Sequence, residues 1–116
     1  MYIEFDEAQV ETKVLVPEVK TLKQKWVDAL RSGKYEQAYC VVRMHDKFCA
    51  LGVLADVYDP EGWHLDDHRL NVHSAYNKAG FGLSQNDINS IVTVNDGHKW
   101  SFDQIADWIE ANVKMN

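Results

Sequence analysis

The sequence predicts an α+β protein that is mainly helical: a single small domain of about four helices with a short β-hairpin or two to three short strands. Three observations predict it. Residues 48–58 form the most apolar run in the chain, with one charge in eleven residues, and turn-like clusters bound it on both sides (His45-Asp46-Lys47 and Asp59-Pro60-Glu61-Gly62). Apolar stripes with steps of three and four follow helix-start signals near Pro17, Ser84 and Ser101. Between the first stripe and the central run lies Tyr39-Cys40-Val41-Val42-Arg43-Met44, rich in residues that favour strands. A chain of 116 residues is long enough for one hydrophobic core and too short for two, so 1–116 reads as one domain, with 1–12 as a loose N-terminal arm or edge strand.

In chain order, Ile3 and Phe5 alternate with Glu4 and Asp6, and Val14-Leu15-Val16 reads as a strand. Pro17 suits the first position of a helix, where its missing N–H costs nothing. The stripe Val19, Leu22, Trp26, Ala29, Leu30 continues that helix and Ser32-Gly33 stops it. A strand over 38–44 then leads to the turn at 45–47. Its partner is either 46–49, as a hairpin feeding the central run, or 12–16. The central run fits a buried helix of about three turns, with Val53, Leu54, Val57 and Tyr58 on one stripe and Gly52 allowing close backbone approach. A buried strand competes, and helix is preferred on length and on Leu and Ala content.

Residues 59–83 read as irregular, with a short helix over 67–78 as an option; a loop of that size usually binds something or holds structure of its own. Ser84, with Asp87 three residues on, starts a helix whose buried stripe is Ile88, Ile91 and Val92 and which Asn95-Asp96-Gly97 ends. Ser101 with Gln104 makes a capping box for a last helix marked by Phe102, Ile105, Ala106, Ile109 and Val113, with Trp108 off the stripe.

Composition narrows the function. With 46% apolar residues, including four Trp, five Tyr and four Phe, the chain holds enough bulky surface to fold. Twelve Lys and Arg against 18 Asp and Glu give a net charge of −6, which argues against nucleic acid as a partner because phosphate readers need a basic face. Cys40 and Cys49 lie in apolar stretches without a cysteine framework, so reduced thiols and a cytoplasmic setting are expected. The acidic start lacks the pattern of a signal peptide and no stretch approaches 18 apolar residues, so no membrane association is expected. Neither a phosphate-cradling glycine loop, a G-x-S-x-G elbow nor a C-x-x-C pair occurs, and no cofactor is expected.

Three sets of residues carry candidate chemistry. Cys49 stands at a helix start, where unsatisfied N–H groups lower a thiol pKa, and His64, His68, His73 or His98 could serve as its base in a Cys-His hydrolase or transferase. No flanking glycine turn would expose the sulfur and its neighbours Phe48, Ala50 and Leu51 are core-like, so a buried structural cysteine is the preferred reading. His64 and His68 would share a helix face as metal ligands with His73 near, although the glutamate of H-E-x-x-H is absent and solvated loop histidines explain them as well. Trp63 and Trp100, in loop contexts beside His64 and His98, are candidates for partner binding, or else cover the edge of a small core.

Three segments, 26–37, 48–54 and Asn95-Asp96 followed by 101–110, together resemble a group of small uncharacterised proteins of tailed phages and bacteria. The resemblance implies a phage or prophage origin and no activity. With it, the expected function is that of a small cytoplasmic, phage-encoded accessory protein that binds a host or viral protein through Trp63, Trp100 and residues 59–83. The Cys-His enzyme and the histidine metal module are the alternatives.

Overall fold

The structure, a computed structural model, describes residues 20–65, 71–74 and 79–115. Helix α1 (Leu22–Arg31) starts five residues later than Pro17 predicts. Thr21 and Gln24 form a reciprocal capping box there, each side chain taking the other's backbone N–H, at 3.2 and 3.1 Å. Its stop is as expected: Ser32 returns to the carbonyl of Ala29 and Gly33 takes φ +76°. Pro17 and Val19, the strand expected at 12–16 and the arm 1–12 lie outside the described residues.

Strands β1 (Glu36–Gln37), β2 (Arg43–Met44) and β3 (Lys47–Phe48) form a small sheet in the order β1-β3-β2. β2 and β3 form the hairpin, one of the two pairings the sequence leaves open, antiparallel with Arg43 opposite Phe48, and β1 adds to β3 in parallel. The strand expected over 38–44 is shorter than predicted. Cys40 takes a left-handed φ of 64°, which no strand accommodates, so only its last two residues join the sheet.

Helix α2 (Ala50–Tyr58) is the centre of the molecule, and the strand alternative for the run is excluded. Six consecutive residues, Ala50 to Ala55, are buried, as expected of a helix that is apolar all round. Tyr58, placed on its buried stripe by spacing, is exposed, its ring meeting Phe81 edge to face at 5.2 Å. A turn closed by Gly62 N–H to Asp59 O leads into an antiparallel pair, β4 (Trp63–Leu65) and β5 (Asn71–His73). Residues 71–73 are therefore strand where a helix over 67–78 was an option; the rest of that stretch, apart from Ser74, lies outside the described residues.

After a 3₁₀ turn (Ala79–Gly82), α3 (Gln85–Val92) starts at the predicted cap, where Ser84 Oγ accepts the Asp87 N–H at 3.0 Å. Ile91 is buried, Ile88 half-buried and Val92 exposed, so the stripe is narrower than predicted. The helix does not stop at Asn95; it widens into a π turn (Thr93–Gly97). Helix α4 (Phe102–Asn112) has the predicted capping box, and its apolar stripe is buried throughout.

α1 packs on both α2 and α4, and α3 on α2, so four helices and the short strands share one core among the described residues. Trp26, fully buried, donates its indole N–H to the carbonyl of Ala50 at 2.8 Å and fixes α1 on the first turn of α2. Lys23 donates to the terminal carbonyl of Val113 at 2.6 Å, a favourable place for a cation. No helix among the described residues is long and apolar enough to cross a membrane.

Candidate interaction surface at the two hairpins

Asp56, the single charge of the central run, organises the side of α2 that faces the strands. Its carboxylate accepts the Tyr35 hydroxyl at 2.6 Å and the Trp63 indole N–H at 2.9 Å. Burial, and then the Asp56 hydrogen bond, push the Tyr35 phenol well above its ordinary pKa, so it remains a donor. Around this pair the rings interlock edge to face: Phe48 on Tyr35 (5.0 Å) and on Trp63 (5.8 Å), and Trp63 on His73 (4.8 Å). Gly62 makes room for the imidazole, since a Cβ there would lie 2.5 Å from His73 Cε1. His73 is buried, with Nε2 2.7 Å from the carbonyl oxygen of Asp59.

The Arg43 guanidinium covers this cluster, 4.7 Å from the Phe48 ring centre and 5.0 Å from that of Trp63. The backbone N–H of His45, in the β2–β3 turn, donates to Asn71 Oδ1 at 3.3 Å and joins the two hairpins. At this junction two large apolar side chains face solvent. Met44, beside Arg43, is 44% exposed, and Leu65, paired with Asn71 across β4–β5, is 61% exposed. A rigid stack of rings thus carries an apolar edge into water.

The candidates from the sequence fall differently. Trp63 is half-buried within the stack, and Trp100 is half-buried against the core, its carbonyl accepting from Gln37 Nε2 at 2.8 Å. His64 is on a strand rather than a helix, so it has no helical face to share with His68, which lies outside the described residues. Trp63 is opposite His73, and successive strand residues alternate faces, so His64 and His73 point apart. Among the described residues no group of three His, Cys, Asp or Glu side chains could hold a metal ion.

Cys49 is the N-cap of α2, its sulfur accepting the Gly52 N–H at 3.4 Å, so its position matches the nucleophile reading. Its electrostatics do not. Burial outweighs those hydrogen bonds and pushes the thiol up to about 11, which leaves it protonated at neutral pH. Cys40 is exposed. Alkylation of the native protein at neutral pH is therefore expected to label Cys40 and leave Cys49 unmodified until denaturant is added. Fast labelling of Cys49 below pH 8, assigned with a Cys40→Ser variant, would contradict this arrangement.

Arg43, Met44, Leu65, Tyr35 and Asp56 are the residues that sequence reasoning missed. One signal was present: a lone carboxylate in an eleven-residue apolar run needs polar partners if it is buried, and here they are Tyr35 and Trp63. A family model described as a domain of unknown function (DUF8296) matches residues 19–83, a span that holds all of these residues. It takes in the first two segments of the resemblance described above and ends before the third. No curated protein and no solved structure matches.

Proposed function

We infer that this chain, which belongs to the DUF8296 family of domains of unknown function, acts by binding another protein through the edge where its two hairpins meet. The observation that carries the reading is the exposure of Met44 and Leu65 on a backbone held by the ring stack and by the His45–Asn71 hydrogen bond. Side chains on a backbone that is already ordered spare association the cost of ordering that backbone, which favours them as contacts. This keeps residues 59–65 and 71–74 in the contact surface expected from the sequence. It moves the weight from the two tryptophans, which the fold already employs, to their exposed neighbours.

The resemblance bears on origin alone, phage or prophage; a host or viral protein of the cytoplasm is the partner we propose with it. The net charge of −6 supports a protein rather than a nucleic acid. The test is capture of partners from host and infected-cell extracts by the wild-type chain and by a Met44→Asp, Leu65→Asp double variant. Surface changes of this kind alter stability by only about 0.5 kcal/mol each. The variant is expected to melt within a few degrees of wild type and to bind the captured protein about tenfold or more weakly. Equal binding by both proteins would remove the hairpin edge from the contact.

A further inference from the structure

We propose that Arg43 is a carboxylate-binding site at the hairpin edge, and that the protein partner places an Asp or Glu side chain, or a C-terminal carboxylate, on its guanidinium. The proposal rests on the binding reading above and deepens it. Arg43 is largely withdrawn from water, its side chain 21% exposed, and it is clamped against the faces of Phe48 and Trp63. Of its five N–H donors, only Nε has a hydrogen-bond acceptor in the described chain, the carbonyl oxygen of His45 at 2.7 Å. The nearest acid, Asp46, lies 3.9 Å from Nη2, too far for a hydrogen bond, and its own side chain is 95% exposed.

The four Nη N–H donors of Arg43 have no hydrogen-bond acceptor among the described residues, and the part of the side chain that water still reaches gives a bound group access to them. Contact with two rings set at 68° to each other, together with the Nε–His45 hydrogen bond, restrains the guanidinium, so its Nη edge is held for a planar bidentate acceptor. The setting selects among anions. Asp46 beside the edge disfavours a group carrying two negative charges, and a chain of net charge −6 does not draw polyphosphate. A single carboxylate flanked by an apolar side chain matches both the fork and the neighbouring Met44.

The minimal probes are acetate and N-acetyl-leucine, titrated against the full chain with matched sodium chloride, reading the Arg43 Nε–H and Trp63 indole N–H resonances. Saturable shifts with acetate are expected, together with tighter binding of N-acetyl-leucine. Arg43→Lys keeps the charge without the fork and should weaken carboxylate binding by about tenfold. Asp46→Asn removes the local competitor and should strengthen it. Because Arg43→Lys could loosen the stack, the Asp46→Asn gain, which needs no disturbed core, tests the site independently. Shifts no larger than those with chloride, or an unchanged affinity in Asp46→Asn, would overturn the proposal. So would inorganic phosphate binding more tightly than acetate. Acetate binding with no gain for N-acetyl-leucine would leave the Arg43 site standing and count against the apolar edge alone.

Discussion

Gly52→Ala is expected to destabilise the protein by about 2–5 kcal/mol, enough to unfold much of it at 37 °C. A Cβ on residue 52 would lie 2.0 Å from the carbonyl oxygen of Val42 and 3.1 Å from its carbon. Both are backbone atoms and cannot swing aside. That same oxygen accepts the Cys49 N–H at 3.0 Å. The chain before β2 can withdraw only by breaking this bond and leaving a buried donor, at about 1–3 kcal/mol. Alternatively α2 shifts, with Val53 and Leu54 fully enclosed, and strains the core by a similar amount. Working against both is the better helix propensity of alanine, about 1 kcal/mol. Propensity alone would make the variant more stable, so the sign of the change decides whether α2 and residue 42 touch. Urea unfolding measures it. Gly97→Ala, where a Cβ meets nothing within 4 Å, is the control and should change little.

This close approach is legible in the sequence, because a glycine inside an otherwise large apolar run has few other uses. So are the caps at Ser84 and Ser101, and the burial of Ile105, Ala106 and Ile109, since each depends on residues within one or two turns of each other. What escapes a reading of the sequence depends on contacts distant along the chain. The β4–β5 pair aligns Trp63 with His73, and nothing local in 59–73 distinguishes that ladder from a loop. The left-handed turn at Cys40, which shortens the predicted strand, places an ordinary residue where glycine would have been a signal. The candidate surface is half legible. Its region and its tryptophan are marked by the aromatic pattern, but Arg43 gains meaning only once Phe48 and Trp63 arrive beneath it from two hairpins.

Asn95 is the other residue whose loss should be felt throughout the molecule. It is 1% exposed in the π turn after α3, and its amide makes four hydrogen bonds. Nδ2 donates to the Ala38 carbonyl at 3.0 Å and to Asp96 Oδ1 at 2.6 Å; Oδ1 accepts from Gln37 Nε2 at 2.9 Å and from the Ala50 N–H at 3.3 Å. The one side chain ties the π turn to the end of β1 and to the first turn of α2. The helix continues through residue 95 as a π turn, where the sequence suggests a stop, and Asn95 lies buried within it. Asn95→Ala is expected to cost about 3 kcal/mol, since a buried N–H and a buried carbonyl lose their partners together. Asn95→Asp keeps the shape and tests the direction of each bond. Its carboxylate would face the Ala38 carbonyl and the Asp96 carboxylate with no proton to offer, so the folded state favours the protonated acid and raises its pKa above the unfolded value. The folded state then binds more protons, and stability relative to wild type must fall as pH rises from 4 to 7. Urea midpoints of the two proteins at several pH values measure this. A parallel pH dependence would mean that Asn95 does not donate to these two oxygens.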